Sequence, residues 1–358
     1  MDGTDASGAA ITHAPDLGDI RRRLRELGAG PAHERRVLRL WAQALPQDGG
    51  RRPLETFMPR RLREALPALA AELAALARLR ERVAAADGSA RLLVELADAR
   101  CVESVLLPRG GLCVSTQLGC AVGCTFCMTG RGGLLRQLGS AEIVAQVALA
   151  RRLQPVHKVV FMGMGEPAHN LDAVLEAIEL LGTAGGIGHK NLVFSTVGDV
   201  RAFERLGAGP VKPALALSLH TTKAALRERL LPRAPRIAPA ELVARADDYA
   251  RATGYPVQLQ WTLLDGVNDG DDELDAIVGL LAGRRTLMLN LIPYNAVDGL
   301  ALRRPPWERS VRLARELNRR GVLTRLRRSA GQEVDAGCGQ LRARRGAAMP
   351  LRTIAAPA

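Results

Sequence analysis

The sequence predicts an α/β fold: parallel strands joined by crossover helices into a complete or incomplete barrel, with a small helical domain in front. Three observations carry that prediction. Apolar residues recur at helical spacing through residues 1–90. From Cys113 onward, short apolar strands alternate with helical segments, the order that gives parallel β-structure with right-handed crossovers. The residues with reactive side chains follow those strands, where the functional face of such a fold lies. An open doubly wound sheet satisfies the same pattern and is the alternative.

In chain order, residues 1–90 form a helical accessory domain. "DIRRRLRELGAG" and "AHERRVLRLWAQAL" have helical periodicity, and "PRRLREALPALAAELAALARLRERVAAA" continues it up to "DGS". "ARLLVELADARCVESVLLP" then reads as two strands about the turn "DAR", which makes 91–112 a β-hairpin extension. Residues 113–345 hold the strands "LCVSTQLG", "KVVFMG", "NLVFST", "PALALSLH", "VQLQWTLL", "LMLNLIP" and, late in the chain, "VLTRLR". Helical segments such as "SAEIVAQVALARRL" and "NLDAVLEAIELLG" lie between most of them. Residues 346–358 are a C-terminal tail.

A chain of 358 residues is long enough for one large domain and a smaller one. No stretch approaches the roughly 18 uninterrupted apolar residues of a membrane span. The polar, acidic start "MDGTDASGAAITHAPDLGD" lacks the features of a signal peptide, so a cytoplasmic protein with no membrane partner is expected. The net charge of +13 points to a polyanionic partner. Nearly all of it is arginine in a chain rich in alanine and leucine, a bias that genomic base composition also produces. Aromatic residues are only 3%, which argues against an extended base-stacking surface.

Six cysteines in such a chain point to metal or redox chemistry rather than a disulfide framework. Cys120, Cys124 and Cys127 crowd the stretch "GCAVGCTFCMTG" after a strand. Thiolates suit zinc or iron–sulfur clusters. A structural zinc needs four protein ligands, and no second CxxC is present. A cubane held by three cysteines leaves one iron open for another ligand. "FMGMGEP", one strand–helix unit later, is a glycine-rich turn that admits a ligand close to backbone and carries Glu166.

The spacing C-x3-C-x2-C, with Phe126 before the last cysteine, resembles the signature of the radical S-adenosylmethionine (SAM) superfamily. Further stretches narrow the resemblance. "CVSTQLGCAVGCTFC", "VVFMGMGEPAHNLDAV", "NLVFSTVG", "LALSLHTT", "LLDGVNDG", "NLIPYN" and "EVDAGCGQL" run in order through residues 100–345. Together they resemble the RlmN/Cfr family of radical-SAM RNA adenine methyltransferases. "VSTQ" and "STVG" depart from that family's usual "VSSQ" and "STSG", which leaves the housekeeping member and a paralogue both open.

The resemblance implies a partial (β/α)6-type barrel with a helical accessory domain. It implies one 4Fe-4S cluster on Cys120, Cys124 and Cys127, and two SAM molecules per turnover. Glu166, Pro167, Ser195, Ser218, Leu219, His220 and Asn295 would contact SAM. Cys338 would carry a methyl group, Cys113 would resolve the protein–RNA adduct through a Cys113–Cys338 disulfide, and Glu103 would accept a proton. The implied partners are 23S rRNA or tRNA and an electron donor such as flavodoxin or ferredoxin, with the protein a monomer. C2 of adenine is the preferred target over C8. Without the resemblance, Cys113 and Cys338 read as small buried residues and Glu103 as the wet face of a strand. A radical enzyme acting on a small molecule or peptide, and a non-catalytic iron–sulfur RNA-binding or sensor protein, are the competing readings.

Overall fold

The structure, a computed structural model, describes residues 14–281, 283–297 and 299–343. The expected tail 346–358 lies outside them. Four helices come first: α1 (Leu17–Glu26), α2 (Pro31–Ala42), α3 (Leu54–Phe57) and α4 (Arg60–Ala75). Asp16 caps α1 by accepting from the Asp19 amide, 3.0 Å. Pro31 takes the first position of α2, where its missing N–H costs nothing.

The helical reading of "ARLRERVA" is corrected. Residues Ala77–Ala84 form a strand, β1, paired antiparallel with β2 (Ala90–Leu96). Alanine, leucine, arginine and glutamate favour helix, but the Asp87-Gly88 turn is a strong hairpin signal, and Gly88 supplies φ +81 there. The pairing then overrides local preference. β3 (Cys101–Leu107) completes the expected β2–β3 hairpin. The extension is therefore three-stranded.

The expected strand "LCVSTQLG" is also corrected, because it breaks in two. β4 (Gly111–Cys113) lies in the main sheet, while β5 (Gln117–Gly119) turns off to pair with β6 (Leu134–Gln137). Buried Ser115 fixes the break: its hydroxyl donates to Glu103 O, 2.6 Å, and its amide donates to Gln146 Oε1, 2.9 Å.

The remaining elements alternate: α5 (Ser140–Arg151), β7 (Lys158–Phe161), α6 (Leu171–Gly182), β8 (Leu192–Thr196), α7 (Val200–Ala208), β9 (Ala214–Ser218), α8 (Ala224–Leu230), α9 (Pro239–Thr253), β10 (Val257–Leu263), α10 (Asp271–Leu281), β11 (Leu287–Pro293), α11 (Trp307–Arg319) and β12 (Thr324–Leu326). The main sheet has the order β1-β2-β3-β4-β7-β8-β9-β10-β11-β12. It is antiparallel up to β4 and parallel from β4 onward. β4 and β7–β11 each lead into a helix, which gives six strand–helix units with β12 as the late strand. No ladder joins β12 back to β1 among the described residues, so the barrel is partial, as expected.

The helical domain packs on the outside of this barrel. Leu17 N donates to Ser140 Oγ at 2.8 Å, and Arg151 Nη1 donates to Ala42 O at 2.6 Å. That contact explains α5, "SAEIVAQVALAR", which is buried from Ser140 to Ala150. A helix covered by a sheet on one side and helices on the other has no face left for solvent, and its polar Ser140, Glu142 and Gln146 are buried with the rest. No helix among the described residues is long and apolar enough to cross a membrane.

Candidate active site

Cys120, Cys124 and Cys127 lie in the loop between β5 and β6. Close backbone approaches shape this loop. Gly119 has φ +79, and a Cβ there would lie 2.0 Å from Gly133 O, so no other residue fits. The loop sits in its own apolar nest, where Cys120 belongs to one cluster with Val122, Phe126, Val197, Leu226, Leu230, Leu264 and Tyr294. Burial pushes the Cys120 thiol up to about 12. Burial also pushes the Cys124 thiol well up, with the charges of Cys127 and Cys120 adding to it. Buried thiols whose ionisation is suppressed, as those of Cys120 and Cys124 are, are what a cationic metal centre relieves. Among the described residues no three potential ligands close on a single ion. A cubane does not require that, because each thiolate meets a different iron.

Opposite charges flank these thiols. Glu166 follows β7 and is 5% exposed. Its Oε1 accepts from Ala168 N, 3.1 Å, and its Oε2 from Val197 N, 3.0 Å. Burial raises it to about 7, against the hydrogen bonds that favour its charged form. Pro167, beside it, is buried. Arg227 on α8 is buried too, and desolvation lowers its pKa to about 10 while Cys124 and Glu166 oppose that shift. Its guanidinium donates to Val197 O and to Ser218 O, and its Nε has no partner among the described residues. A buried cation with an unmatched donor fits an anionic occupant. Nothing in "LRERLLPRAP" singles Arg227 out from the chain's other arginines.

Ser195 and Ser218 lie near the C-terminal ends of β8 and β9, both half-buried. Ser218 pairs in register with Gln260, Gln260 with Asn290, and Asn290 with Arg325. Residues paired across neighbouring strands point to one face, so these four form a polar row along one face of the sheet. Leu219 is fully buried. His220 takes φ +64, a left-handed conformation. Its Nδ1 accepts from Thr262 N, 3.0 Å, which leaves the proton on Nε2. Its ring meets Phe126 edge-on, centroids 4.8 Å apart. His220 thus braces the cysteine loop, and burial lowers its pKa to about 3.

The segment around Cys338 closes over this loop. Met128 N donates to Gly339 O, 2.7 Å, and Thr129 Oγ1 to Leu341 O, 2.7 Å. Asn295 donates through Nδ2 to Cys338 O and to Ser329 Oγ, both 2.9 Å. The amide expected to contact SAM thus anchors the Cys338 loop. Cys338 is exposed, yet the protein around it pushes its thiol up, while the Arg327 charge opposes that rise. Cys113, at the end of β4, is buried and raised by desolvation, and Cys338 is close enough for its charge to raise it further. Two cysteines 225 positions apart therefore come within electrostatic reach of each other, and Cys338 within that of Cys127. Both are free thiols, and half-buried Cys101 lies on β3.

Glu103 is no wet strand face, being 1% exposed. Its Oε1 accepts from Arg91 Nη1, 2.6 Å, and its Oε2 from the amides of Arg342 and Ala343, 2.7 and 3.1 Å. It ties the C-terminal segment to the sheet.

An open parallel barrel, a cysteine triplet at its mouth and a glycine-rich turn with a buried glutamate define a radical SAM enzyme. The Radical SAM superfamily model matches residues 114–278. A probable RNA methyltransferase of Methylibium petroleiphilum is 75% identical, over 91% of this chain and 92% of that protein. One from Leptothrix cholodnii is 69% identical, over 91% and 93%. The crystal structure of a radical SAM methyltransferase from Sphaerobacter thermophilus matches with a TM-score of 0.78 and 34% identity, over 92% of this chain and 98% of that one. The chain belongs to the radical SAM methyltransferase family of these proteins, in keeping with its resemblance to RlmN/Cfr. A 4Fe-4S cluster and SAM come with that membership.

Proposed function

We propose that this enzyme methylates an adenine ring carbon, C2, in rRNA or tRNA through a methylated cysteine. The observation that carries the reading is that Cys338 lies within electrostatic reach of both Cys113 and Cys127 of the triplet. RNA as substrate rests on the relatives named probable RNA methyltransferases and on the net charge of +13. The helical domain adds an arginine cavity of about 510 Å³, lined by Arg35, Arg36, Arg39, Arg51, Arg52 and Phe57. Arg36 and Arg52 lie 5.2 and 5.6 Å from the Phe57 ring centre.

Cys120, Cys124 and Cys127 hold the cluster in this reading, and Glu166, Ser195, Ser218 and His220 line the SAM site. When bound, cluster and cofactor supply a methyl group and a carbon-centred radical. Ring carbons C2 and C8 are electron-poor, so a direct methyl transfer finds no nucleophile there. Cys338 Sγ is the nucleophile instead. Its methyl, after losing a hydrogen atom, joins to the ring carbon. A proton then leaves the adduct for Glu103, and the bound cluster would supply the acceptor for the electron that leaves with it. The Glu103 carboxylate is committed to Arg91 and the 342–343 amides, so accepting that proton requires the C-terminal segment to lift. Cys113 attacks Cys338 Sγ, the S–C bond breaks, the departing carbon takes up a proton to become the methyl group of the base, and the resulting disulfide is reduced by an external donor. Once Cys338 carries carbon it holds no charge, so its part of the penalty on the Cys113 thiolate disappears.

The test is mass spectrometry of nucleosides from rRNA and tRNA, taken from cells with and without the gene. The proposal expects a C2-methyladenosine that depends on the gene. A gene-dependent methyl group on any other atom, or none, overturns it.

A further inference from the structure

The chain has three tryptophans. Trp41 and Trp261 are buried, while Trp307 is 39% exposed. Among the described residues it is the one Phe, Tyr or Trp that reaches the exposed class. Trp307 is the first residue of α11, after the loop that leaves β11, so it stands on the strand-end side of the sheet, with the active site. Pro305 and Pro306 precede it and restrict the backbone that presents the ring.

Its surroundings tie it to the mouth. The Arg328 guanidinium lies over the indole, 4.7 Å from the ring centre. Arg328 sits between Arg327, whose charge acts on Cys338, and Ser329, which accepts from the same Asn295 amide that holds Cys338 O. Three residues before Trp307, Arg304 donates to Tyr294 O, 2.6 Å, next to Asn295. Arg325, Arg327 and Arg328 are exposed and make no ion pair among the described residues. An exposed indole beside unmatched arginines suits a ligand that is flat and anionic at once.

We propose that Trp307, backed by Arg328, is a stacking platform for an unpaired RNA base next to the target adenosine. The inference rests on the RNA reading above and adds a substrate-positioning residue to it. Every base offers a π-face to an aromatic ring, so such a contact needs no particular sequence. The guanidinium on the ring strengthens the platform, and the unmatched arginines attract the flanking phosphates. One such residue holds a neighbour in place while the target base enters the mouth, and it operates in a chain with few aromatics.

The experiment measures binding of a single-stranded oligoadenylate RNA to the cluster-loaded enzyme and its Trp307→Ala and Trp307→Tyr variants, each checked for intact cluster absorbance. Trp307→Ala should bind about tenfold or more weakly, with an unchanged salt slope, because no phosphate contact is lost. Trp307→Tyr should restore most of the affinity. RNA should quench wild-type tryptophan fluorescence, and the quench should vanish in Trp307→Tyr. Wild-type affinity in Trp307→Ala, or a quench that survives in Trp307→Tyr, overturns the platform alone. A wild-type enzyme that binds no single-stranded RNA overturns the RNA reading along with it.

Discussion

His220 gives a pH dependence that can be worked out in advance. Its pKa falls from the ordinary 6.5 to about 3, chiefly because it is buried, with the Arg227 charge adding to the shift. The unfolded chain takes up this proton near pH 6.5 and the folded chain only near 3, so stability drains away as pH falls through that window. From pH 8 to pH 5 the loss amounts to about 2 kcal/mol, at about 1.4 kcal/mol per pH unit below the unfolded value. His220→Asn is the suitable perturbation. Asparagine tolerates the left-handed conformation at φ +64, and its carbonyl oxygen can accept from Thr262 N. Urea unfolding of the cluster-free protein at several pH values, wild type minus variant, isolates the histidine from other titrating groups. The difference should grow by about 2 kcal/mol in the variant's favour between pH 8 and pH 5. A flat difference would show that His220 is not held neutral, and the bracing role argued for it would fall.

Three further outcomes are expected. Cys124→Ala should lose both the iron, about four atoms per chain in the wild type, and SAM cleavage; full cleavage by the variant refutes the ligand assignment. Glu103→Gln leaves the half-buried Arg91 unmatched and weakens the hold on residues 342–343, so chemical denaturation should show a loss of about 3 kcal/mol; a loss within experimental error would mean the pair is solvated. Replacing Arg35, Arg39 and Arg51 with alanine should weaken RNA binding and flatten its salt dependence, by about 0.7 in log–log slope per phosphate contact removed; an unchanged slope would give the arginine cavity some other role.

The parallel half of the fold was legible because each strand is short and apolar and each crossover helix has its own period. β1 was not, since "ARLRERVA" favours helix and its strand state depends on pairing with β2. Nor was the break between β4 and β5, where Ser115 satisfies backbone groups that an unbroken strand would have paired. At the site, spacing marks the triplet, and the glycine-rich turn after β7 marks Glu166. Arg227 could not be read, because its distinction is burial, which no pattern among so many arginines reveals. The charges of "RELNRRGVLTRLRRS" divide in the same way: Arg319 and Arg320 are matched by Glu316 and Asp275, while Arg325, Arg327 and Arg328 stay unmatched at the mouth. Asn295 and Glu103 were read as parts of the chemistry, and the structure adds that both hold the Cys338 segment down.

The most direct test of the methyl-cysteine route is Cys113→Ala, purified from cells with its cluster and digested with nuclease and protease. If Cys113 resolves the adduct, the variant stalls after carbon–carbon bond formation. Mass spectrometry should then find the Cys338 peptide joined through one carbon to an adenosine, and no such species in Cys338→Ala. A Cys113→Ala protein whose Cys338 is methylated but free of RNA contradicts the resolving role. Methylation of adenine by Cys338→Ala would contradict the route itself.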